Sequence, residues 1–189
     1  MEKTIEKAKA SFYKNVESLG SDPYNLLPHV PEVEKWAEFM LKKYPGANRE
    51  VVLLAVWLHD IGHYPINEID HAIKSESFSR EFLTQEKMSP EIIQQVAHCI
   101  RSHRCRDVLP ATIEAKIVAF CDSASHMTDS IYLDMFKSKT ADEKYKVFEK
   151  IDRDFRDLSY FPEIKEQMKE LYDSWKELLK SYGKIGLEF

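Results

Sequence analysis

An all-α fold is predicted for this chain of 189 residues, and three observations predict it. Apolar residues recur at three- and four-residue steps along most of its length. Residues that start and stop helices bracket those stretches. Only five glycines occur, and neither Asn-Gly nor Asp-Gly, the strongest short hairpin signals, is present. The expectation is one compact domain over residues 1–189, built of roughly eight helices. Its motif-bearing core spans about 25–130, with additional helices at 1–24 and 137–189.

The first helix is expected within 2–19, with Ile5, Ala8, Phe12, Val16 and Leu19 inward and Gly20 as its stop. Ser21–Pro28 reads as a connection around Asp22-Pro23. A second helix is expected from near His29, with Pro31 early enough that its missing N–H costs nothing. His29, Val33, Ala37, Met40 and Tyr44 share its inward stripe, and Pro45-Gly46 ends it. Asn48 caps a third helix, whose run Val51–Leu58 is apolar all round. Periodicity alone does not separate a buried helix from a buried strand there; the helical neighbours decide for helix, with Gly62 as its end.

After a loop at Tyr64–Ile69, Asp70 caps a fourth helix running to about Gln85. Ser89-Pro90 opens a fifth, with Ile93, Val96, Ala97 and Ile100 inward and a basic end at Arg101, Arg104 and Arg106. Pro110 opens the longest helix, expected over 111–136, with Ile113, Ile117, Phe120, Ala124, Met127 and Ile131 in one stripe. Two strongly charged helices are expected at 141–157 and 162–181, with Tyr145, Phe148, Phe155, Leu171, Tyr172 and Trp175 inward.

Composition narrows the function classes. The formal net charge of −5 speaks against coating a nucleic acid polymer. The longest apolar run, Val51–Leu58, is too short to span a membrane, and the charged stretch Met1–Lys7 lacks the apolar core of a signal peptide. Cys99, Cys105 and Cys121 form an odd set with no Cys-x-x-Cys pair, as expected of reduced thiols in the cytoplasm.

The chemistry is expected where the apolar run ends in His59-Asp60. Burial of that run brings an imidazole and a carboxylate to the edge of the core, where an unpaired charge is expensive. At a helix end unwinding into Gly62, adjacent side chains can converge on one point. A neutral imidazole nitrogen and a carboxylate oxygen suit a divalent transition ion. His29 lies on a buried stripe with no local partner in sequence, and Asp122 interrupts the apolar run Ile117–Cys121. Helical geometry puts Asp122 beside Ala115, Val118, Ala119, Ser125 and His126, a face of mainly small groups. Taken singly, His29 is more simply a hydrogen-bonded core histidine, and Asp122 could accept from Ser125 or His126.

His29, the pair His59-Asp60 and Asp122 resemble the H…HD…D pattern of the HD-domain superfamily of metal-dependent phosphohydrolases, with Leu58–Gly62 as the motif's core. The resemblance covers roughly residues 25–130. It implies that His29, His59, Asp60 and Asp122 ligate one divalent ion (Mn, Fe, Ni, Zn or Co). Asp70-His71-Ala-x-x-Ser75 and Ile100-x-x-His103 resemble segments that supply further histidines, to a second metal, to phosphate or as proton donors. The subgroup with two metals often has paired histidines, whereas here Arg104 follows His103, which leaves the second ion open. His63, His98 and His126 read as ordinary residues, with His63 placed to line a pocket mouth.

In such a site Asp60, His71 and His103 are the expected catalytic groups, and Lys74, Arg101, Arg104 and Arg106 the expected substrate-binding cations. For the arginines a solvated helix end is an equally good reading. The expected activity is hydrolysis of a phosphate ester or anhydride in a small metabolite, most plausibly a nucleotide. His59–Pro65 loosely resembles the deoxynucleoside triphosphate triphosphohydrolases, for which this chain is short. The alternative is a non-catalytic metal- or nucleotide-binding sensor. Tyr160-Phe161, Tyr172, Trp175 and the stretch Leu187–Phe189 could cover the pocket or form a homodimer contact; core packing is the simpler assignment.

Overall fold

The computed structural model describes residues 2–140 and 143–185. Among these residues there are ten α-helices and no strand: α1 Glu2–Glu17, α2 Leu26–Lys43, α3 Arg49–Leu58, α4 His71–Gln85, α5 Pro90–Ser102, α6 Ile113–Thr128, α7 Ile131–Ser138, α8 Tyr145–Asp157, α9 Pro162–Gln167 and α10 Lys169–Ile185. The protein is all-α. It divides into two compact units between Asp122 and Ser123, inside α6.

In the first unit α3 is the central element. Every residue from Val51 to Leu58 is at most 2% exposed, which is why the run has no polar face. Burying a Val or Leu side chain stabilises by about 1.5–3 kcal/mol, while a β-branched residue loses at most about 0.7 kcal/mol of helix propensity, so packing decides the conformation. Helices α1, α2 and α5 pack around α3, and α4 packs on α5. Lys9 of α1, Glu34 of α2 and Trp57 of α3 interlock. The indole Nε1–H and the ammonium of Lys9 both donate to Glu34 Oε1, at 2.8 and 2.9 Å, and Lys9 also lies over the indole. Asn48 caps α3 as expected, its side chain accepting from the N–H groups of Glu50 and Val51.

Several boundaries differ from expectation. Helix α2 starts at Leu26 because both carboxylate oxygens of Asp22 accept from its first turn, at Leu26 and Leu27. Helix α3 stops at Leu58, and Ile61–His63 forms a separate 3-10 turn, so Gly62 does not end the helix. The long helix expected over 111–136 is broken into α6 and α7. Asp129 Oδ1 accepts from Ile131 N–H at 2.8 Å, a local side-chain bond that competes with the helical ladder. The helix expected over 162–181 is likewise two, with Met168 N–H closing a tight turn onto Ile164 and Lys165. Leu19, Ile113, Tyr145 and Leu171, expected inward, are exposed. Residues 141 and 142, at the expected start of α8, and the stretch Leu187–Phe189 lie outside the described residues.

The second unit packs α7 to α10 around Tyr132, Ile151, Leu158 and Leu179, each fully buried. Its core also holds a polar knot. Tyr132 Oη and Lys150 Nζ both donate to Asp154 Oδ2 at 2.9 Å, with His126 Nδ1 3.1 Å from the same oxygen. Burial opposes its charge, but Lys150 and His126 outweigh that and hold Asp154 down at about 2.

Candidate metal centre

Three elements of the first unit aim four side chains at one point. His29 comes from the first turn of α2, His59 and Asp60 follow the last residue of α3, and Asp122 lies on α6. His29 and His59 are buried, at 2% and 0% exposure. His29 Nε2 is 3.2 Å from Asp122 Oδ1 and 3.8 Å from Asp60 Oδ2. His59 Nε2 is 3.4 Å from Asp60 Oδ2 and 3.7 Å from Asp122 Oδ1.

The tautomer of His59 follows from its other nitrogen. Nδ1 lies 2.7 Å from Val56 O, and a carbonyl only accepts, so Nδ1 carries the proton. That leaves a bare lone pair on Nε2, which is buried without any hydrogen-bond partner. It faces two carboxylate oxygens, acceptor against acceptor. A cation resolves that conflict, and a mixed nitrogen and oxygen donor set suits a divalent transition ion. The same two carboxylates draw positive charge to this nitrogen, as a proton or as a metal ion: burial opposes a charge on His59, but Asp60 and Asp122 outweigh it and raise its pKa. The residues present therefore fit such an ion, and His29, His59 and Asp60 each offer a donor atom close enough to share it.

The second oxygen of Asp60 faces a second group of imidazoles. Oδ1 is 3.3 Å from His71 Nε2 and 3.7 Å from both His103 Nε2 and His63 Nε2. His71 and His103 approach each other at 3.3 Å between their Nε2 atoms. His103 is built like His59, with Nδ1 donating to Ile100 O at 2.6 Å and Nε2 left facing the cluster. Burial is the main reason His71 is pushed down to about 3 and His103 to about 4, so both are neutral near pH 7. Burial opposes the charge of Asp60, but His59, His63, His71 and His103 outweigh it and hold its carboxyl far below the usual range. Asp60, His71 and His103 thus form another donor group able to hold an ion.

Gly62 sets the distance between the two halves of this centre. Its N–H donates to Ser75 Oγ at 2.9 Å. A Cβ added there would lie 2.4 Å from His71 O and 2.5 Å from Ser75 N. The glycine therefore lets the turn after Asp60 lie flush on the first turns of α4, which carry His71. Asp70 caps α4 by accepting from Ala72 N–H at 2.9 Å.

The expected substrate cations stand on the same segments, and Lys74, Arg101 and Arg104 are engaged with acids or a carbonyl. Arg104 pairs with Asp70, and Arg101 pairs with Asp107 through two nitrogens. Lys74 donates to Pro65 O at 2.8 Å, and Arg106 is exposed. His98, read as ordinary, accepts from Ala111 N–H, while His126 belongs to the polar knot of the second unit. His63 is the residue that sequence reasoning undervalued. Its position one helical turn after Asp60 was the available signal, and its ring stacks on His71 at 3.9 Å.

With this geometry in place, comparison with known proteins identifies the class. The HD domain family model matches residues 26–127, more than half of the chain. The chain belongs to the HD domain family. A tRNA (cytidine(56)-2'-O)-methyltransferase of Picrophilus torridus is 30% identical over 121 residues, which cover 60% of this chain and 35% of that protein. The chain thus spans about a third of that relative's length. No solved structure matches. Among the described residues, no helix is long and apolar enough to cross a membrane.

Proposed function

We propose that the protein is a metal-dependent phosphohydrolase acting on a phosphate ester or anhydride of a small metabolite, a nucleotide in the first instance. The observation that carries this reading is His59 Nε2, buried, partnerless and turned toward the oxygens of Asp60 and Asp122. In this reading His29, His59, Asp60 and Asp122 hold one divalent ion. When bound, such an ion supplies a nucleophile from water at neutral pH and polarises a phosphoryl oxygen.

The other roles fall to the chain's own groups. Asp60, kept ionised, orients a water through Oδ1, the oxygen turned toward His71 and His103. His71, neutral like His103, serves as a hydrogen-bond partner for the leaving oxygen rather than as a charged acid. Arg104, which keeps donors spare beyond those given to Asp70, and Lys74, with two donors beyond Pro65, balance charge on the non-bridging oxygens. Arg101 and Arg106 flank Arg104 on the same basic segment and would add to its attraction for an anion. The acidic balance of the chain favours a small substrate over a nucleic acid polymer. With only 35% of it covered, the methyltransferase relative lends no support to methyl transfer in this chain.

A second ion at Asp60, His71 and His103 is the competing use of those two histidines, favoured by the donor group they form. Elemental analysis of purified protein separates the two: one divalent ion per chain is expected, and two would move His71 and His103 from hydrogen bonding to ligation. Phosphate release should then be followed over a panel of nucleotides and sugar phosphates with several metals. Silence across the whole panel, with metal bound, would turn the reading to a non-catalytic sensor.

A further inference from the structure

The proposed function places phosphate chemistry beside Asp60 and leaves the rest of the substrate unassigned. Three aromatic rings run outward from that carboxylate. His63 stands 3.7 Å from Asp60 Oδ1 and stacks on His71 with 16° between the planes. Tyr24 continues the series beyond His63, at 4.4 Å between centroids and 37°. His63 has ring neighbours in His71 and Tyr24, and His71 has His63 and, at 5.3 Å, His103. Tyr24 is the exposed member, at 39%.

Tyr24 is also well held for a surface residue. Its backbone N–H approaches Tyr64 Oη at 3.5 Å, and that hydroxyl donates to Asp22 Oδ1 at 2.7 Å. Asp22 in turn caps the first turn of α2, which carries His29. A braced, exposed ring, tilted against His63 and with Tyr64 5.8 Å away, beside the stacked His63–His71 pair at the Asp60 carboxylate, is a surface for another planar group. Base–aromatic stacking tolerates any base, because each has a π-face. His63 thus touches both the carboxylate of Asp60 and the ring of Tyr24.

We propose that Tyr24 is the platform on which the substrate's nucleobase stacks, so that the site selects phosphate compounds carrying a planar aromatic base. This rests on the reading of the site as one that binds a nucleotide phosphate. The test is calorimetric binding of 5′-AMP, 5′-UMP and ribose 5-phosphate to the full-length protein, its Tyr24→Ala variant and its Tyr24→Phe variant. Wild type should bind both nucleotides more tightly than ribose 5-phosphate. Tyr24→Ala should weaken both nucleotides by about tenfold and leave ribose 5-phosphate unchanged, while Tyr24→Phe keeps wild-type affinities. Equal affinity of wild type for all three compounds overturns the proposal, as does an equal loss for all three in Tyr24→Ala. Base-selective binding without phosphate release from either nucleotide supports the platform and sinks the hydrolase reading alone.

Discussion

At the scale of single residues, the centre is an arrangement of lone pairs. Val56 O and Ile100 O each accept a hydrogen bond from the Nδ1–H of a histidine and thereby turn its Nε2 toward Asp60. Backbone carbonyls at fixed positions in α3 and α5 thus choose the tautomers, and the side chains follow. His59→Ala removes a donor and leaves Asp60 facing Asp122 without the imidazole between them; the expected outcome is loss of the bound divalent ion, read by elemental analysis after gel filtration. Retention of a full equivalent of metal in that variant would remove His59 from the ligand set. Gly62→Ala is the sharper steric probe. A methyl group 2.4 Å from His71 O forces the turn and α4 apart. The expected result is a stability loss of about 1–3 kcal/mol together with weaker metal binding. An unchanged melting temperature would mean that the gap closes more cheaply than the geometry implies.

At the scale of elements, two buried polar contacts make separate predictions. Ser75 of α4 accepts from the buried N–H of Gly62, so Ser75→Ala leaves that donor without its partner. A loss of about 1–3 kcal/mol in denaturant unfolding is expected, and Ser75→Thr should recover part of it. In the second unit Asp154 joins α7 and α8 through Tyr132 and Lys150. Its folded pKa of about 2 lies below the ordinary 3.8, so its contribution is complete above that ordinary value. That stability is lost as the pH falls through about 2. Urea unfolding measured from neutral to acidic pH should steepen its decline below about pH 4, and Asp154→Asn should flatten that part of the curve while lowering stability at neutral pH.

At the scale of the whole molecule, ion binding and folding are linked. An ion bound only by the folded chain at a hundredfold over its dissociation constant stabilises by about 2.7 kcal/mol. For a chain of this size that corresponds to a rise of roughly 5–10 °C in the unfolding midpoint. Chelator should reverse the rise, and Asp122→Ala should abolish it; an equal shift in that variant would place the ion elsewhere.

The helices were largely legible in the sequence because their causes are local. Asn48, Asp70 and Ser89-Pro90 act within one turn of themselves, and α3, α4 and α5 begin where those residues predict. The breaks at Asp129 and Met168 were not legible, since each depends on which of two competing local bonds the packing permits. His29, the pair His59-Asp60 and Asp122 stand out as polar groups on apolar stripes, and it is the resemblance to the HD pattern that joins the four into one expected ligand set. The chain by itself determined an all-α family member with those four donors in order. Only the tertiary structure decided that His63 stacks on His71 with Tyr24 packed against it, and that Gly62 brings His71 against Asp60. Those contacts join α3, α4 and the segment before α2, and distances between elements far apart in sequence come from packing, which no local pattern encodes.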